Sequence, residues 1–229
     1  MAGRTNIEER SKVRYSRDYH DYVFKKGKFL GKFDDMYRYS SVKPWHQDKT
    51  AYRIFSDIDI LILKQYKFRS VCEIGCGLGY FTERLRKELI FKSGKGNKVT
   101  GIDISGEAIH KASKLFPRIQ FIKGNLIEKT PLKVKTFELV IAKEILWYVT
   151  HRLSRFLDNA TDMVKDGGLF YISQSFPEKR NWSGREIING PDRLKKILMR
   201  YAKPVYYCLE YDWNYHGRPF VHFLGRVKK

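Results

Sequence analysis

The 229-residue chain has the length of one catalytic domain with an extension. Its 42% hydrophobic residues suffice for a core and exclude global disorder, and no apolar run approaches the roughly 20 residues of a membrane-spanning helix. Lys and Arg number 45 against 25 Asp and Glu, a formal net charge of +20 that attracts nucleic acid, acidic headgroups and phosphorylated small molecules alike. The N-terminus is polar and carries acids, without the apolar core of a secretory signal, so a cytoplasmic location without membrane insertion is expected. The three cysteines show no metal-ligand spacing, and reduced, buried thiols are expected with no metal.

Residues 1–47 are basic and rich in tyrosine and phenylalanine, and read as an arm or lid rather than a free tail. Residues 48–229 read as the catalytic domain. A helix should begin near Asp48, which can cap it, with Ala51, Ile54, Phe55, Ile58, Leu61 and Ile62 at helical spacing. From residue 70 strands and helices alternate. Strands are predicted at 70–74, 98–103, 119–122, 137–142 and 169–173. Helices are predicted at 80–90, from the cap Ser105 to about 116, and at 151–165. A helix at 191–202 then precedes two aromatic strands, 205–212 and 220–228, joined across residues 214–217 as an antiparallel hairpin. The expected fold is α/β: a Rossmann-like, doubly wound, seven-stranded sheet, mostly parallel, with helices on both faces.

The segment Glu73-Ile74-Gly75-Cys76-Gly77-Leu78-Gly79 follows one strand and opens one helix. Its glycines let the backbone turn sharply and approach a ligand. Glu73 ends the strand, where a carboxylate suits a cationic amine better than a pyrophosphate. S-adenosylmethionine (SAM) carries an ammonium and a sulfonium and no phosphate. Asp103, followed by Ile104, ends the next strand and can accept hydrogen bonds from two ribose hydroxyls. Gly124-Asn125-Leu126 follows the third strand, where an amide can meet an adenine edge.

With these motifs, residues 45–175 resemble the class I SAM-dependent methyltransferases. The resemblance implies SAM as cofactor, held by Glu73, Gly75, Cys76, Gly77, Gly79, Asp103, Ile104, Asn125, Leu126 and Lys143. Phe137-Glu138-Leu139-Val140 is similar to the family's Phe-Asp-Leu-Val strand, and Val164-Lys165-Asp166-Gly167-Gly168 to its Leu-x-Pro-Gly-Gly turn. Two departures stand out. Asn125 occupies the family's usual Asp position, and Glu73 and Asp103 are 30 positions apart where about 20 is usual. Residues 91–98 account for the difference as an exposed loop. It lacks Gly-Lys-Ser/Thr and ends a helix, so it is not a phosphate-binding loop.

The acceptor side carries no universal motif, because positioning supplies much of the rate and only a hydroxyl acceptor needs a base. The chain lacks Asn/Asp-Pro-Pro-Tyr/Phe, and it has no Pro-Cys nucleophile. The carboxyl end of the fourth strand, Lys143-Glu144-Ile145-Leu146-Trp147-Tyr148-Val149-Thr150-His151, should face the acceptor. Glu144 or His151 can serve as base and Tyr148 can orient the acceptor, although a helix cap with core aromatics explains the same residues. Pro44-Trp45, Glu144, Leu146 and Tyr148 resemble the NodS-like N-methyltransferases. That resemblance implies a lid from the arm, with Trp45, His46 and Trp147 against a sugar or other small polar acceptor.

Three functions stay open on sequence. The leading one is N- or O-methylation of a small polar acceptor, sugar-like or phosphorylated. The second is RNA methylation through a basic surface that includes 179–203, with Lys179, Arg180, Arg185, Arg193, Lys195, Lys196, Arg200 and Lys203. The third is a non-enzymatic scaffold, which the intact glycine loop and Asp103 disfavour.

Overall fold

The computed structural model describes residues 15–26, 28–90, 97–128, 132–176, 184–212 and 217–228. The inserted loop at 91–96, Lys179, Arg180 and the turn at 214–216 lie outside them. The central sheet is built from β3 (Ser70–Ile74), β4 (Lys98–Asp103), β5 (Gln120–Lys123), β6 (Phe137–Lys143), β7 (Val164–Ser175), β8 (Ala202–Asp212) and β9 (Arg218–Val227). Its order is β5-β4-β3-β6-β7-β9-β8. The strands from β5 to β7 pair in parallel, and β9 runs antiparallel to both β7 and β8. The chain lays β4 and β5 to one side of β3, then crosses to place β6 on the other. The crevice between the carboxyl ends of β3 and β6 is therefore the switch point where open α/β sheets bind ligands.

The central strands are apolar on both faces because each face is covered. Cys72, Ile74, Val140, Ala142, Phe170 and Ile172 pack beneath α8 (Leu153–Asp162) and α9 (Pro191–Tyr201). Val71, Leu139, Ile141, Leu169 and Tyr171 pack beneath α4 (Ile54–Leu63) and α5 (Tyr80–Leu89). On α5, Phe81, Leu85 and Leu89 turn inward at helical spacing, as their pattern predicts. Ser105 caps α6 (Gly106–Leu115), its Oγ accepting from Ala108 N at 3.1 Å.

Residues ahead of the sheet form α1 (His20–Val23), the small hairpin β1 (Phe24–Lys25) and β2 (Lys28–Phe29), α2 (Phe33–Tyr39), a 3-10 turn (Pro44–His46) and α3 (Gln47–Thr50). Tyr19, Tyr22, Val23, Met36 and Tyr37 are buried in one cluster with Leu78 of the glycine loop and Ala108 of α6.

Several local expectations are corrected. The helix expected from Asp48 is broken: α3 ends at Thr50, extended Arg53 (φ −87°, ψ 163°) resets the phase, and α4 follows. Asp48 pairs with Lys43 at 2.7 Å instead of capping. Ile54 and Leu61, predicted inward, are 59% and 61% exposed, while Asp59 is fully buried. The helix expected at 151–165 divides into a 3-10 turn, Thr150–Arg152, and α8, and Val164 is buried at the start of β7. That strand begins before the glycine pair because Val164 pairs with Phe137 of β6, a register shift follows before Leu139 meets Leu169, and Arg226 Nη1 of β9 donates to Gly167 O in the turn between.

Candidate active site

The glycine loop is shaped by positive φ at Gly75 (75°), Gly77 (52°) and Gly79 (80°). A Cβ on Gly75 would lie 2.4 Å from Ile145 Cγ2, and one on Gly77 would lie 2.3 Å from Gln47 Nε2. Close approach and left-handed backbone thus both require glycine at these two positions. Gly75 N and Cys76 N donate to Ile102 O at 2.7 and 3.0 Å, tying the loop to β4. Gly77 N donates to Asp103 Oδ2 at 2.8 Å, and Leu78 N to Gln47 Oε1 at 2.8 Å. The second contact joins the loop to α3.

Both strand-end acids are buried. Glu73 is 4% exposed and accepts from Thr82 Oγ1 at 2.5 Å, and burial pushes its pKa up to about 8. Asp103 is 9% exposed, and burial raises its pKa to about 6 against hydrogen bonds from Ser105 N and Gly77 N. Each of its oxygens accepts one backbone N–H, which leaves lone pairs for further donors.

One cavity of about 840 Å³ runs from Glu73, Cys76, Asp103 and Asn125 past Lys143 and Glu144 to Trp147, Tyr148 and His151. Trp45 and His46 close it from the N-terminal side, and Arg53, Phe55, Arg218 and Phe220 wall it on the α4 side. Trp45 (φ 52°), His46 (φ 48°) and Glu144 (φ 55°) hold left-handed backbone that non-glycine residues adopt at a cost, and all three line the cavity.

Residues 71–168 match a family model described as a methyltransferase domain. Those residues form a methyltransferase domain. A comparison with curated proteins returned no match. Among solved structures, the N-methyltransferase NodS from Bradyrhizobium japonicum WM9, in complex with S-adenosyl-L-homocysteine (SAH), aligns with TM-score 0.62 at 20% identity, over 82% of this chain and 93% of that one. A SAM-dependent methyltransferase from Aquifex aeolicus aligns with TM-score 0.60 at 15% identity, over 79% and 95%. A chain from the Haloferax volcanii complex between the Trm112 methyltransferase activator and a methyltransferase aligns with TM-score 0.65 at 15% identity, over 86% and 98%. At these identities the likeness is one of fold.

Within this methyltransferase the predicted residues other than Gly77 and Gly79 line the cavity, at different stations. Ile104 and Leu126 flank Asp103 and Asn125. Asn125 turns its amide toward its own chain: Oδ1 accepts from Ile127 N at 3.2 Å, and Nδ2 donates to Glu128 at 3.0 Å. Lys143 pairs its ammonium with buried Asp59 and packs over the rings of Phe55 and Phe81, at 4.6 and 5.2 Å. The Glu144 carboxylate is held by Ser175, accepting from its N and, at 2.5 Å, from its Oγ; burial raises its pKa. His151 stands exposed on the 3-10 turn. Tyr148 sits among Phe29, Phe33 and Trp45, with centroids 6.1, 5.5 and 5.9 Å away, so its ring also pins the arm to the β6 end. Trp147 meets Phe176 edge to face at 5.4 Å.

Sequence reading missed Gln47, Thr82, Ser175, Arg53, Phe55, Arg218 and Phe220. Phe55 and Phe220 stack at 4.9 Å, and Arg218 Nε is buried without a hydrogen-bond partner among the described residues. No local pattern marks these residues. An exception is Asp59, an acid inside the apolar run 58–63, whose position alone signals a buried partner. Among the described residues no three or more His, Cys, Asp or Glu side chains gather as a metal site, and no helix is long and apolar enough to cross a membrane.

Proposed function

We propose that this cytoplasmic enzyme methylates nitrogen or oxygen of a small polar acceptor. The observation that carries the reading is the single cavity that joins the cofactor acids to Glu144 and His151 beneath the arm. Its size of about 840 Å³ falls at the upper end of ordinary ligand pockets, which suits a cofactor and a small acceptor together. SAM lies along the glycine loop, its ammonium toward Glu73, its ribose on Asp103 and its adenine beside Asn125 and Leu126. The SAH in the NodS complex supports that choice of cofactor.

The methyl group moves from the sulfonium to the acceptor, the sulfonium becomes the thioether of SAH, and the acceptor loses a proton. Glu144, fixed by Ser175, takes that proton from a hydroxyl; an amine acceptor need only arrive uncharged. Trp45, His46, Trp147 and Tyr148 enclose the acceptor, and the buried, unpartnered Nε of Arg218 supplies a donor for a polar group on it. Enclosure excludes water and positions the nucleophile.

A second reading, RNA methylation, is favoured by one observation: arginines of α8 and α9 surround a pocket beside His151. Transfer of radiolabelled methyl from SAM into a cell extract, split into small-molecule, RNA, protein and lipid fractions, tests both. Label is expected among small molecules and is lost with Asp103→Ala. That variant should bind SAH about tenfold or more weakly. Label in RNA overturns the small-acceptor reading.

A further inference from the structure

Beside the methyl-transfer cavity lies a second one, of about 340 Å³, between the Thr150–Arg152 turn, the first turn of α8, and α9. Arg152, Arg155, Arg193 and Arg200 line it with His151 and Ser154, and among the described residues no acidic one does. Three arginines elsewhere in the molecule have carboxylate partners: Arg84 pairs with Asp57 and Glu88, Arg86 with Glu83, and Arg38 with Glu107. Arg152, Arg155 and Arg200 have no such partner among the described residues, and Arg193 offers only a 3.4 Å contact from Nε to Ile187 O.

Four arginines around so small a space concentrate positive charge there, and at physiological salt, where the Debye length is about 8 Å, charges that close together are only partly screened. A bound anion offsets that charge. A lone carboxylate offers too few acceptors for this many donors, whereas phosphate offers more charge and matches the planar arginine fork. Ile187 and Ile197 add apolar lining to it, and His151 lines both cavities. A molecule gripped at the arginines therefore reaches past His151 toward Glu144.

We propose that this pocket binds a phosphate group of the acceptor, anchoring it outside the chamber while its nucleophilic end enters. The proposal rests on the methyltransferase reading and names the chemistry of its substrate.

The test titrates SAH-saturated protein with inorganic pyrophosphate by calorimetry at about 0.15 M salt. Arg155→Met/Arg193→Met is compared with the wild type and with Lys114→Met/Lys133→Met, which removes equal charge from exposed sites. Wild type and the lysine variant should bind equally, and the arginine variant about tenfold or more weakly. SAH affinity should be the same in all three. Equal pyrophosphate binding by every protein overturns the proposal and leaves the methyltransferase reading standing. Failure of the wild type to bind SAH removes that reading by itself. A parallel titration with short single-stranded RNA separates the sources of phosphate. RNA bound more tightly than pyrophosphate through the same arginines assigns the pocket to nucleic acid. RNA bound no more tightly assigns it to a small phosphorylated acceptor. Either result supports a phosphate site.

Discussion

Glu73 is buried with Thr82 as its donor, and its pKa stands near 8, so in the empty protein at neutral pH its carboxyl is mostly protonated. An ammonium placed beside it favours the ionised form and drives the proton off. Binding of SAM should therefore release a proton near neutral pH. Affinity should climb as pH rises from about 6 to about 7.5, where the free carboxyl still needs to ionise. Calorimetry in two buffers of different ionisation enthalpy reads the released proton directly, and Glu73→Gln should abolish the difference. A proton count of zero in the wild type would remove the ammonium from Glu73. The linkage to folding has the opposite sense. A carboxyl whose pKa is raised by folding binds its proton longer in the native state, so its contribution to stability falls as pH rises from the ordinary carboxylate range toward about 8. Bound cofactor should flatten that fall. The acid at the strand end was readable from its place before the glycine loop. Its protonation was not, because burial comes from elements distant in sequence.

At the scale of elements, α4, β6, β7, β8 and β9 meet at Asp59. Its carboxylate pairs with Lys143, accepts from Tyr171 Oη at 2.8 Å, and lies 2.9 Å from His222 Nδ1, while His222 Nε2 lies 3.0 Å from Glu210. Lys143 and His222 hold Asp59 well below the usual carboxylate range against the cost of burial. A group with a depressed native pKa adds stability above its unfolded pKa and loses it as pH falls below. Asp59→Asn should cost about 3–5 kcal/mol in urea denaturation, because it leaves Lys143 buried without a counter-charge. The variant should also lose less stability than the wild type between about pH 5 and about pH 2. Asp59→Leu combined with Lys143→Met should recover much of the loss, since well-packed apolar side chains can replace a buried pair. A cost of only a few tenths of a kcal/mol in the single variant would mean that water reaches the pair. This network shows where sequence reading stops. The strands, the glycine turn and the Ser105 cap follow from neighbours within one turn or one strand, and were readable. Asp59 and His222 are 163 positions apart, and only the folded sheet brings them together. The α4 face was misjudged for the same reason: an apolar count puts Ile54 and Leu61 inside, while a charged partner across the sheet turns Asp59 inward instead.

For the whole molecule, the N-terminal residues can act either as a detachable lid or as part of the domain. The sequence places a boundary at residue 47, yet the contacts cross it at the cofactor loop itself. Tyr37 and Met36 are buried against the loop and α6, Asp34 accepts from Ser105 Oγ at 2.7 Å and Glu107 N at 3.0 Å, and Gln47 accepts from Leu78 N. We propose that the arm completes the cofactor site. Two variants separate the possibilities. Gln47→Ala removes one acceptor from the loop, and should weaken SAH binding by about threefold to tenfold, the worth of a single hydrogen bond, with little change in melting temperature. A chain beginning at residue 48 uncovers Leu78 and Ala108 as well, and should lose SAH binding while melting at lower temperature. A detachable lid behaves differently. The truncated chain would then melt like the intact one and bind SAH with a faster off-rate, since a lid slows departure without shaping the loop. Hydrogen exchange at residues 19–46 supplies the complementary reading. An integral arm is protected before SAH is added and gains little, whereas a lid is open in the free protein and gains its protection from the cofactor.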